Sequence, residues 1–70
     1  MSKPDTITLN GRPHPLEASV SVAVLLDTLG LAGKPVAVEL DEQAILPADH
    51  ARVMVAPGAR VEIVALAAGG

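Results

Sequence analysis

Residues Thr6 to Leu9 alternate polar and apolar, with Ile7 and Leu9 on one face and Thr6 and Thr8 on the other. That period of two is the signature of a half-buried strand. Asn10 and Gly11 follow, a pair suited to the positive φ angles that a two-residue hairpin turn requires. The pattern predicts a returning strand over His14 to Glu17 with Leu16 turned inward, and Pro13 and Pro15, which lack an N–H, require that strand to lie at an edge or be irregular. The period then changes. Val22, Leu25, Leu26 and Leu29 stand at i, i+3, i+4 and i+7 and predict a one-sided helix over Val22 to Leu29. Ser21 is placed to cap it, and Val20 and Leu25 are spaced for a hydrophobic staple across the cap. Gly30 supplies a left-handed stop, after which Leu31 can fold back onto the last turn.

Strand character returns with Val36, Val38 and Leu40 on one face and Ala37 and Glu39 on the other. Asp41 and Glu42 read as a turn and Gln43 to Leu46 as a short return strand. Pro47 to Arg52 read as a loop with a single helical turn. Pro57 and Gly58 mark a tight turn before a last strand, in which Val61, Ile63 and Ala65 alternate with Glu62, Val64 and Leu66. The expectation is an α+β domain with a sheet of four to five strands covered on one face by one main helix, because a lone amphipathic helix must bury its stripe against a sheet. The first hairpin feeds the helix, so the last strand is expected to return between the two halves of the sheet. If the helix covers the Val61 and Ile63 face, Val64 and Leu66 become candidates for an exposed apolar patch on which partners dock. The alternative is that these two fill a gap at the sheet edge.

Composition narrows the chemistry. Seventy residues make one domain, residues 1–70, and half of them are apolar without a single Phe, Tyr or Trp, so the core is left to Val, Leu, Ile, Ala and Met54. The absence of cysteine excludes disulfides, thiolate metal sites and a cysteine nucleophile. A net charge of −3 argues against nucleic acid and favours a basic protein surface as partner. No apolar run approaches the roughly 20 residues of a membrane span. The opening MSKPDT has no signal-peptide core, and a cytoplasmic protein is expected.

His14 and His50 have no metal-ligand spacing around them and read as solvated surface residues; no metal is expected. Ser19, Ser21 and Asp27 make a poor triad once Ser21 is assigned to a cap. Asp41 and Glu42 are adjacent in a turn and point apart, and the AGK at Ala32 to Lys34 lacks the spacing of a phosphate loop. With side-chain chemistry set aside, the reactive candidate is the terminal carboxylate of Gly70. Gly69 and Gly70 have no Cβ and can thread a narrow channel. Ala67 and Ala68 are small and read with them as a flexible tail over residues 67–70.

The segments ITLNGRP, VSVAVLLDTLGL, PVAVELDE and PGARVEIVAL, in this order and followed by a terminal GG, resemble the ThiS family of sulfur carrier proteins of thiamin biosynthesis. The resemblance runs from about Thr6 to Gly70 and implies the ubiquitin-like β-grasp fold. It implies that the Gly70 carboxylate is adenylated with ATP by a ThiF-like adenylyltransferase and converted to a thiocarboxylate. A ThiG-like thiazole synthase then takes the sulfur. On this reading the chain is a protein cosubstrate and not an enzyme. It binds no cofactor tightly, threads Ala67, Ala68 and Gly69 into partner active sites, and is a monomer alone. Two alternatives stay open: a carrier for another pathway, such as the small subunit of molybdopterin synthase, and a non-reactive ubiquitin-like interaction module.

Overall fold

A computed structural model describes residues 4–66 of the chain. Strands β1 (Thr6–Leu9) and β2 (Arg12–Pro15) form the first hairpin, followed by β3 (Val20–Ser21) and helix α1 (Val22–Thr28). After the helix come β4 (Val36–Leu40), β5 (Gln43–Ile45), a 3₁₀ turn (Pro47–Asp49), β6 (Met54–Val55) and β7 (Arg60–Ala65). Five strands form one sheet in the order β2-β1-β7-β4-β5, while β3 and β6 pair in a small second sheet. The last strand runs parallel to β1 and antiparallel to β4, so it is the central strand of a mixed sheet. This is the β-grasp arrangement, with the helix on one face.

The first hairpin turns where the sequence places it, with Asn10 at φ 50° and Gly11 at φ 81°. The returning strand, however, starts at Arg12 and not at His14. The register gives the reason. Leu16 N–H donates to Asp5 C=O at 2.8 Å, and antiparallel ladders alternate between bonded and unbonded pairs. Ile7↔His14 and Leu9↔Arg12 are therefore the bonded pairs, and Pro13 and Pro15 fall at the unbonded positions between them. Their missing N–H groups would have faced away from β1. Two prolines are thus accommodated in a strand at the edge of the sheet.

The helix has seven residues, too few to persist alone in water. Its ends are closely satisfied. Val22 N–H donates to Val53 C=O at 2.9 Å and Ala23 N–H to His50 C=O at 2.8 Å. Val24 N–H donates to the Ser21 hydroxyl at 3.1 Å, the cap the sequence predicts. At the other end Gly30, at φ 75°, donates to Asp27 C=O and Leu31 N–H to Leu26 C=O, the two bonds of a Schellman motif. The helix stops one residue earlier than its apolar stripe implies, because Leu29 is the cap residue.

The core comprises Ile7, Val22, Leu25, Leu26, Val36, Val38, Val55 and Val61, all buried, with Leu9, Leu16, Val20, Leu29, Leu31, Leu40, Ile45 and Ile63 packed around it. Full burial of such a side chain contributes about 1.5–3 kcal/mol. Met54 is not among them. Val20↔Val55 and Ser21↔Met54 are partners in the small sheet, and successive strand residues face opposite ways. Val55 takes the inward position at 0% exposure, which turns Met54 out to 54%.

The second hairpin turns on Asp41 at φ 49° and Glu42 at φ 71°. Positive φ at both central residues is the requirement of a type I′ turn, which glycine and asparagine meet with the least strain. Asp41 compensates: its carboxylate accepts the Arg60 N–H at 2.9 Å, and its own N–H donates to Arg60 C=O at 2.8 Å. No side-chain hydrogen bond of Glu42 offsets its strain among the described residues. Replacement Glu42→Gly is expected to stabilise the fold by about 0.5–1 kcal/mol, read as a higher urea midpoint at unchanged slope.

Candidate functional site

The feature that distinguishes this molecule is where its central strand leads. β7 is held by neighbours on both sides for most of its length, and its last described tie is the Leu66 N–H donating to Pro35 C=O at 2.9 Å. Residues Ala67, Ala68, Gly69 and Gly70 continue from this point and lie outside the described residues. What the fold supplies is a rigid origin for them, in the middle of the sheet.

On its β1 side β7 is held by an unusual device. β1 pairs with β7 only at Thr8↔Arg60 and Leu9↔Val61 before the chain turns away. Asn10 then extends the ladder with its side chain. Its Oδ1 accepts the Ile63 N–H at 2.8 Å, and its Nδ2 donates to Ile63 C=O at 3.2 Å. One primary amide thus reproduces the donor and acceptor of a strand residue. Aspartate would lack the donor and alanine both groups. Asn10→Ala is expected to cost about 1–2 kcal/mol and to accelerate amide exchange at Ile63 before that at Val61.

Val64 and Leu66 are 60% and 51% exposed. Val64 sits on the sheet face away from the helix, directly across from Ala37, and two pairs further along, on the same face, Glu62 faces Glu39. Leu66 lies beyond the strand's end and lines a cleft of about 510 Å³ with Leu26, Leu31, Pro35, Val36 and His50. Leu66 continues the ladder phase of Val64, opposite Pro35, and also borders the cleft beside His50.

Other candidate residues have structural duties. The Ser21 hydroxyl caps α1. His50 is half-buried, its Nε2 3.3 Å from Ile45 C=O while its own carbonyl receives the helix N–H of Ala23. His14 lies on the edge strand β2, opposite Ile7. Asp49 pairs with Arg52 at 2.6 Å on the loop beside the helix start. Among the described residues no group of three or more His, Asp or Glu side chains converges on a metal position, and no polar side chain is buried. No helix among them is long and apolar enough to cross a membrane.

Comparison with known proteins agrees with the architecture. The sequence model of the ThiS family matches residues 7–70. A crystal structure of a thiamine biosynthesis protein, ThiS from Geobacter metallireducens, superposes with a TM-score of 0.80 at 29% identity, covering 93% of this chain and 99% of that one. A thiazole synthase of Paramagnetospirillum magneticum is 36% identical over 64 residues, which are 91% of this chain. The chain spans 20% of that protein's length.

Proposed function

Because the chain belongs to the ThiS family, we propose that it is a sulfur carrier for thiazole formation in thiamin biosynthesis, with the carboxylate of Gly70 as the group that carries the sulfur. The observation that bears most weight is the family match, which runs through Gly70. The fold is in keeping with it: the strand that precedes residues 67–70 is the central strand of the sheet.

The chemistry follows from the carboxylate. It resists nucleophiles because it is anionic and would have to expel oxide. Reaction with ATP joins it to AMP as a mixed anhydride and releases pyrophosphate, which supplies a leaving group. Sulfide-level sulfur then adds at the carbonyl carbon and AMP departs, leaving a thiocarboxylate. Sulfur arriving as a persulfide would first give an acyl disulfide, which a thiol cleaves to the thiocarboxylate by taking the donor's sulfur into a disulfide. The carrier contributes a tether and a recognition surface. ATP and the donors that stabilise the developing charge belong to a ThiF-like adenylating partner. A ThiG-like synthase receives the sulfur, for which the thiazole synthase relative is an indirect pointer. Gly69 and Gly70 bring no Cβ to the reacting carbonyl, Ala67 and Ala68 give reach, and Val64 and Leu66 are the apolar contacts that hold the domain against its partners.

Reconstitution tests the proposal. With an adenylating enzyme, ATP and a sulfur donor, the chain should sustain thiazole formation by a thiazole synthase. It should not sustain molybdopterin formation with the large subunit of molybdopterin synthase. The reverse pattern would assign the carrier to the other pathway, and activity in neither would leave an interaction module.

A further inference from the structure

The side of β7 that Asn10 closes at Ile63 is open one step further along. In the β4–β7 ladder, the Leu66 N–H bond to Pro35 and the Asp41 N–H bond to Arg60 fix the alternation: 35/66, 37/64, 39/62 and 41/60 are the bonded pairs. The N–H and C=O of Val61, Ile63 and Ala65 therefore point the other way, toward the β1 side. Asn10 N–H takes the Val61 carbonyl, and the Asn10 side chain takes both groups of Ile63. Ala65 comes next and has no partner there among the described residues. It borders a cleft of about 280 Å³ whose other walls are Leu9, Asn10, Leu29, Leu31, Val36 and Ile63. All but Asn10 are apolar.

A free donor and acceptor on an exposed strand, above an apolar cleft, fit one kind of occupant. We propose that this edge receives an extended main-chain segment of the adenylating partner, which pairs with Ala65 and places an apolar side chain between Leu29, Leu31 and Ile63. The segment would occupy the place β1 vacates by turning at Asn10, about 4.8 Å from β7. Its source follows from continuity. Ala65 lies five residues before Gly70 in the sequence and next to the last described tie, Leu66 to Pro35, so a partner that holds residues 67–70 is within a few residues of this edge. The proposal rests on the carrier reading given above. It adds that recognition begins on the domain's main chain, before the tail.

The register provides a selective variant. Ala65→Pro removes the open-side N–H and leaves every β4–β7 hydrogen bond in place, whereas Val64→Pro breaks the 37/64 pair. Ala65→Pro should unfold at the wild-type urea concentration and bind a ThiF-like adenylating enzyme about tenfold more weakly, the value of roughly one net hydrogen bond. Amide exchange at Ala65 of the wild-type chain should slow on adding that enzyme, a readout that needs no substitution. Unchanged exchange at Ala65 in a complex that still forms thiocarboxylate would overturn the inference and leave the carrier reading intact. Protection of Ala65 that rises with the concentration of the free chain would also overturn it, since the occupant would then be a second copy. If the wild-type chain neither bound the enzyme nor was modified by it, both readings would fall.

Discussion

Joining one further residue to Gly70 is expected to lower adenylation by about 100-fold or more while leaving the unfolding transition unchanged. The extension ties the Gly70 carbonyl into a peptide and carries the free carboxylate roughly 3.5 Å further from the sheet. A partner site fitted to the natural reach would find an amide where it needs an anion. The core that sets stability lies within Ile7 to Val61, well before the extension. ATP–pyrophosphate exchange by the adenylating enzyme reads the first effect and urea denaturation the second. Retained exchange in the extended chain would place the reactive group somewhere other than Gly70.

Leu25→Ala is expected to have the largest effect on the fold, about 2–5 kcal/mol. Leu25 is 2% exposed at the centre of the only α-helix among the described residues, and that helix is held by packing and not by its own propensity. A domain of this size has about 4–10 kcal/mol in total, so the substitution removes a large share of it. Val24→Ala, one residue away and 50% exposed, should stay within about 0.5 kcal/mol. Chemical denaturation of the two variants side by side measures the contrast. Similar losses in both would mean that helix propensity dominates over burial.

The parts of the fold with a sustained period were legible in the sequence. The alternation at Ile7 and Leu9, the helical stripe from Val22, and the alternation at Val36 and Val38 each name their own inward face, and the burial of these residues agrees. Ser21 and Gly30 were readable because their roles are local to the chain. The pairing of β3 with β6 was not, since strands of two residues have no period and their partners lie far apart in sequence. Met54 was a core candidate on composition alone, and the pairing with Ser21 turns it outward. Asn10 reads in sequence as a turn residue, and its amide's second duty to Ile63 spans 53 positions. The prolines of β2 suggested an edge or irregular strand; only the register shows that they fall where no ladder bond is needed.

The candidate site divides in the same way. Residues 67–70 stand out by composition, as a run of Ala and Gly behind a strand. Val64 and Leu66 were legible as outward-pointing residues. The cleft that Leu66 borders beside His50 was not, because its walls come from segments far apart in the chain. The open edge at Ala65 follows from the hydrogen-bond phase of the whole β4–β7 ladder, which no local pattern in the sequence encodes.

A sulfur carrier must change in one place and by one atom. The most direct measurement is therefore the intact mass of the chain after incubation with the adenylating enzyme, ATP and a sulfur donor, alongside a chain lacking Gly70. The full chain should gain the difference between sulfur and oxygen, localised by fragmentation to Gly70, and the shortened chain should gain nothing. Equal gain in both, or a gain on any other residue, would contradict the assignment.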